Sequence, residues 1–144
     1  MKTIDQGIGG WIYYVEGEPA FDNNKVGKWM CYPHELGVED ELSFSRKICS
    51  DAVSQGIVQE AKCRHIKEKG VCCFYQNCDD MASHKRVIQY FLDNALIPKN
   101  RAGRLHNISF KLDKQTHSGQ YGENYNPTIT LNEFLDLDTG KWIV

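Results

Sequence analysis

The sequence predicts an α+β domain in which one mainly antiparallel sheet carries its helices on a single face. Three observations lead there. Short β-branched and aromatic runs recur along the chain, and Leu105–Leu112 alternates with a period of two, His106, Ile108, Phe110 and Leu112 against Asn107, Ser109 and Lys111. Two longer segments instead place apolar groups at three- and four-residue spacing, the mark of helices packed on one side. The resulting order of strand, helix, strand pair, helix, strand, loop and strand suits one layer of sheet under one layer of helix.

Each element has a local reason. Gly9–Val15 is an aromatic and β-branched run that reads as a first strand or an extended arm, followed by a loop over 17–24 with Pro19 and the turn-prone Asp22-Asn23-Asn24. Val26–Tyr32 reads as a core strand closed by Pro33. A helix is expected near 39–55: Glu39, Asp40 and Glu41 favour its positive end, and Leu42, Ser45, Ile48, Cys49, Ala52 and Val53 share one face. Gly56 then stops it. Ile57–His65 reads as a strand with Val58, Glu60, Lys62 and Arg64 on one side, and Lys67–Gly70 as a charged turn. Val71–Tyr75 is a continuous apolar strand, central in the sheet. A second helix is expected near 80–95, capped by Asp79 or Asp80, with His84, Val87, Ile88, Phe91, Leu92 and Ala95 buried and Pro98 blocking continuation. The Leu105–Leu112 strand, a strand over Thr128–Leu131 and a hairpin around Asp138-Thr139-Gly140 complete the chain. The expected core contains Trp29, Ile48, Val71, Cys73, Val87, Phe91, Ile108 and Phe110.

Composition narrows the function classes. The 144 residues suit a single domain over 1–144, and 41% hydrophobic with 25% charged residues is the balance of a soluble globular fold. The formal net charge of −2 removes any global basic field, so anion binding would have to come from a local cluster. No apolar run approaches the ~20 residues of a membrane span, and Met1–Gly7 has no apolar core of a leader, so a cytoplasmic location is expected. Six cysteines, at 31, 49, 63, 72, 73 and 78, contain no Cys-x-x-Cys pair, and the spacing of Cys63, His65, Cys78 and His84 matches no zinc module. Free thiols and no metal or cofactor are expected. No assembled catalytic motif is present, and Asp79-Asp80 reads as a helix cap, so the chain is not expected to be an enzyme.

Several segments occur in a telling order: Trp11-Ile12, Gly27-Lys-Trp-Met30, Val38-Glu-Asp-Glu41, Cys73-Phe-Tyr75, the Asp79–Leu92 helix, and Ile108-Ser-Phe-Lys-x-Asp-x-Gln-Thr-x-Ser-Gly-x-Tyr-Gly122. That order resembles the basophilic leukemia expressed protein family, a group of uncharacterised small proteins with the fold of the mRNA cap-binding translation initiation factor. The resemblance covers roughly residues 11 to 131, and the segment ending at Tyr121-Gly122 is its most specific part. It implies a curved, mainly antiparallel sheet backed on one face by two or three helices. Cap binding is not implied: the long segment that carries the second stacking tryptophan in the initiation factor is missing, since Gly56 leads directly into Ile57.

Candidate ligand residues fall in two places. Lys62 and Arg64 share one face of a strand, with Lys67 and Lys69 in the next turn, and such a row suits phosphate. The same row would also serve as a solvated, lysine-guarded strand edge. The loop after Leu112 offers Thr116, Ser118, Gly119 and Tyr121, hydroxyls and pliable backbone for an anion, or simply a connection between strands. The leading expectation is a non-enzymatic binding module for a nucleotide-like, phosphorylated or RNA ligand. The alternative is a protein-interaction module that kept the fold and lost the ligand site, using an apolar tail patch of Phe134, Leu135, Leu137 and Trp142.

Overall fold

The computed structural model describes residues 1–114 and 129–144. Seven strands, β1 (Lys2–Asp5), β2 (Trp11–Val15), β3 (Val26–Cys31), β4 (Glu60–Arg64), β5 (Cys72–Asn77), β6 (Ser109–Leu112) and β7 (Ile129–Thr130), form one open sheet. The order across it is β1-β2-β4-β5-β3-β6-β7, and each neighbouring pair is antiparallel. Among the described residues two α-helices, α1 (Glu41–Ser54) and α2 (Met81–Asp93), accompany the sheet in this α+β fold.

Register explains why the helices share a face. Cross-strand partners point to the same side, and one row of partners runs Tyr14, Ala61, Phe74, Trp29, Phe110, Ile129 from β2 to β7. The adjacent row is Ile12, Cys63, Cys72, Cys31. Both rows join one buried cluster with Ile48, Cys49, Ala52 and Val53 of α1 and Val87, Ile88, Tyr90 and Phe91 of α2. Phe74 packs edge-on to Phe91 at 5.2 Å, and Tyr90 donates its hydroxyl to the Ile48 carbonyl at 2.7 Å, which ties the helices together. Trp29, fully buried, donates its indole N–H to His84 Nδ1 at 3.0 Å. Gly27 is required beside it: a Cβ there would lie 2.5 Å from the Lys111 carbonyl oxygen and 2.7 Å from the Phe110 ring.

Several boundaries move. All four residues of the N-terminal edge strand β1 are exposed, so burial leaves no alternating pattern to read. Val58 precedes β4 and belongs to the core, whereas Glu60, Lys62 and Arg64 face the other way. Val71 and Ile108 are half-buried, each just outside its strand. Only Ser109–Leu112 is strand, because Leu105 makes an isolated bridge to Lys99 and the chain turns at His106. Ala95 lies past the end of α2 with φ 54° and is exposed. The final hairpin is present, with Leu135 bridged to Trp142.

Candidate ligand-binding face of the sheet

The face of the sheet turned away from the helices carries the charge. Alternation sends Trp11, Tyr13, Glu60, Lys62, Arg64, Cys73, Tyr75, Lys28 and Lys111 to this side, because their neighbours in sequence point into the core. Two rows result. Tyr13, Lys62, Cys73 and Met30 are successive cross-strand partners, and so are Tyr75, Lys28 and Lys111. Trp11 and Arg64 form a third pair.

Lys62 sits among three rings. Its Nζ lies 3.9 Å from the Trp11 ring centroid, 5.5 Å from Tyr13 and 5.7 Å from Tyr75. A cation over an aromatic face gains about 0.5–2 kcal/mol, the larger value where water is excluded. Arg64 places its guanidinium 5.2 Å from the same Trp11 ring and donates to the Gly9 carbonyl at 2.6 Å. Its Nε is buried and has no acceptor among the described residues. Lys28 and Lys111 are each only 8% exposed, and Lys28 pairs with Asp113 at 2.7 Å.

These charges are crowded and partly dehydrated. Burial, helped by the Lys28 charge, lowers the pKa of both Lys62 and Lys111. Burial raises that of Glu60 against the pull of Lys62. An arriving anion would stabilise the charged form of Lys62 and offset its lost hydration. A cleft of about 350 Å³ opens here between the Pro19–Asn23 loop and Tyr13, Lys62 and Tyr75.

Of the residues expected from sequence, Lys62 and Arg64 are brought together on this face. Thr116, Ser118, Gly119 and Tyr121 lie outside the described residues. The edge-guard reading of the basic row is corrected, since β4 lies inside the sheet between β2 and β5. Trp11, Tyr13, Tyr75, Lys28 and Lys111 escaped sequence reasoning. Their alternation within strands was visible, but which strands are neighbours was not.

The other sequence candidates have different occupations. Nδ1 of His84 accepts from Trp29, so its Nε2–H donates to the Cys78 carbonyl at 2.7 Å; both ring nitrogens are engaged away from any thiol. Asp80 caps α2 through Ser83, and Asp79 pairs with Lys25 at 2.7 Å. Cys63 points into the core and His65 bonds Asp5 at 2.9 Å, so the four-residue cysteine–histidine set is dispersed. The apolar tail patch is also corrected. Phe134, Leu135 and Leu137 are buried core residues, and Trp142 donates its indole N–H to Gln89. Compared with known protein families and with curated proteins, the chain matches no family model and no curated sequence.

Proposed function

We propose that this chain is a non-enzymatic binding module whose sheet face opposite α1 and α2 takes a nucleotide-like or RNA ligand through its phosphates and bases. The observation that carries the reading is the placement of Lys62 and Arg64 against Trp11, with Tyr13 and Tyr75 alongside. Bases of single-stranded nucleic acid stack on aromatic side chains, and phosphates take charge-assisted hydrogen bonds from lysine and arginine. In the free protein the Lys62 ammonium occupies the Trp11 face. A base stacking there displaces it towards a phosphate, so both the ring and the cation serve the ligand. The resemblance to the basophilic leukemia expressed protein family and its initiation-factor fold belongs to this same proposal, as an analogy of fold. The proposal places the protein in the cytoplasm, where its six thiols stay reduced.

Tryptophan fluorescence and calorimetry with mononucleotides and a short single-stranded RNA, in low salt, test the reading. Saturable binding in the micromolar range is expected, lost about tenfold in Lys62→Ala and in Arg64→Ala, as removal of a charged hydrogen bond implies. Silence across the panel at high micromolar ligand removes the proposal.

A further inference from the structure

The cleft of about 350 Å³ beside Lys62 falls within the ~300–1,000 Å³ of small-molecule sites, and its walls are of mixed chemistry. Tyr13, Phe21 and Tyr75 supply rings, Lys62 a cation, and Glu60 and Asp113 carboxylates. Asp113 is engaged with Lys28 at 2.7 Å. Glu60 is not engaged: among the described residues its carboxylate has no hydrogen-bond or ion-pair partner, Lys62 included. Glu60 and Lys62 lie two residues apart on β4 and on the same side of the sheet, opposite Val15 and Tyr13. Both are half-buried, so each has given up hydration without an opposite charge in contact. Burial raises the pKa of Glu60, Lys62 draws it back, and Asp113 pushes it up again. A phosphate held by Lys62 would therefore sit beside the unneutralised Glu60 carboxylate, which repels it. A ligand that also brings a positive group to Glu60 removes that penalty and is favoured over one that does not.

We infer that this cleft is a cation subsite, in which the Glu60 carboxylate and the rings of Tyr13, Phe21 and Tyr75 hold a quaternary ammonium group joined by a short linker to the phosphate at Lys62. The inference rests on phosphate binding at Lys62, as proposed above, and adds the class of phosphate ester that the site prefers. Aromatic faces suit quaternary ammonium groups, which carry no N–H to leave unpaired. The Lys62 ammonium lies closest to Trp11, at 3.9 Å against 5.5 and 5.7 Å for Tyr13 and Tyr75, so the two tyrosine rings are the less committed to it. Two residues along a strand span about 6.5 Å, which a phosphate and a trimethylammonium group joined by two carbons bridge. Phosphocholine is the simplest such ester, whether free or as a lipid headgroup.

The test compares phosphocholine with neohexyl phosphate, its neutral isostere with a tert-butyl group in place of the trimethylammonium, on the unaltered protein by calorimetry in low salt. A short single-stranded RNA serves as the probe of the phosphate-binding face itself. Phosphocholine is expected to bind about tenfold tighter than the isostere, and Glu60→Gln, which keeps the shape and removes the charge, is expected to erase that ratio. The wild-type comparison needs no variant to fold. Sedimentation with phosphatidylcholine vesicles separates the two sources: co-sedimentation assigns the group to a lipid headgroup, binding of the free ester alone assigns it to a soluble ester, and either supports the subsite. Equal affinities for the two esters, or silence of both while RNA binds, would overturn the cation subsite and leave the phosphate-binding face standing. Failure of all three ligands would overturn both.

Discussion

Lys62 is caught between opposing demands: burial lowers its pKa while three aromatic faces favour its charge. That tension gives the residue its readiness to meet an anion, and a basic residue on an outer strand edge would lack it. Trp29 has the opposite character, fully enclosed and paired with His84. Trp29→Ala is expected to cost about 3–5 kcal/mol in chemical denaturation, and a loss below about 1 kcal/mol would place the ring at the surface. His84 supplies a pH signature. Burial holds its pKa below the ordinary 6.5, so the unfolded chain takes up a proton at a higher pH than the folded one. The stability due to neutral His84 is thus complete above about pH 6.5 and is lost as pH falls from there towards the folded value. Stability measured from pH 8 to 5 should decline in the wild type and decline less in His84→Gln; identical slopes would contradict the assignment. At this scale the core role of Trp29 was legible from its apolar strand. Trp11 was not, because its partners Lys62 and Arg64 are some fifty residues away in sequence.

Both helices end on the same backbone device with different residues in it. After α1, Gly56 N–H bonds Val53 and Ile57 N–H bonds Ala52; after α2, Ala95 N–H bonds Leu92 and Leu96 N–H bonds Phe91. The turn residue needs positive φ, and Gly56 adopts 74° while Ala95 adopts 54°. A left-handed alanine is strained by roughly 1–2 kcal/mol, only part of which the flexibility of glycine in the unfolded chain cancels. Ala95→Gly is therefore expected to raise stability by about 0.5–1 kcal/mol, and Gly56→Ala to lower it by about 1 kcal/mol. Opposite signs in urea titrations support this account, and a shared sign contradicts it. Asp80→Ala should cost about 1 kcal/mol through the lost cap to Ser83. The start of α1 and its glycine stop were plain in the sequence. The end of α2 was not, since alanine continues a helical pattern and gives no stop signal. β1 was missed for a related reason: its four residues are all exposed, Ile4 included, so no buried face marks it.

Across the whole molecule, one sheet divides two kinds of chemistry. Its helix side holds the aromatic core and the thiols Cys31, Cys49, Cys63 and Cys72, and its other side holds Lys28, Lys62 and Lys111. Cys73 faces that second side yet is 3% exposed, and burial pushes its thiol up to about 12. Thiol titration should count six in denaturant, with native labelling led by the partly exposed Cys78; rapid native labelling of two or more would contradict this packing. The fold class was legible because periodicity and caps are local. The strand order β1-β2-β4-β5-β3-β6-β7 was not, since it depends on pairings distant in sequence, and the binding face is a product of that order. Phosphate binding on the sheet face opposite α1 and α2 is measured by the salt dependence of RNA binding. Log affinity against log salt should be shallower by about 0.7 in Lys62→Ala and again in Arg64→Ala, as for the loss of one phosphate contact on a single strand. Lys47→Ala, on the exposed side of α1, should leave the slope unchanged. Equal slopes in all four proteins, or a loss confined to Lys47→Ala, would contradict it.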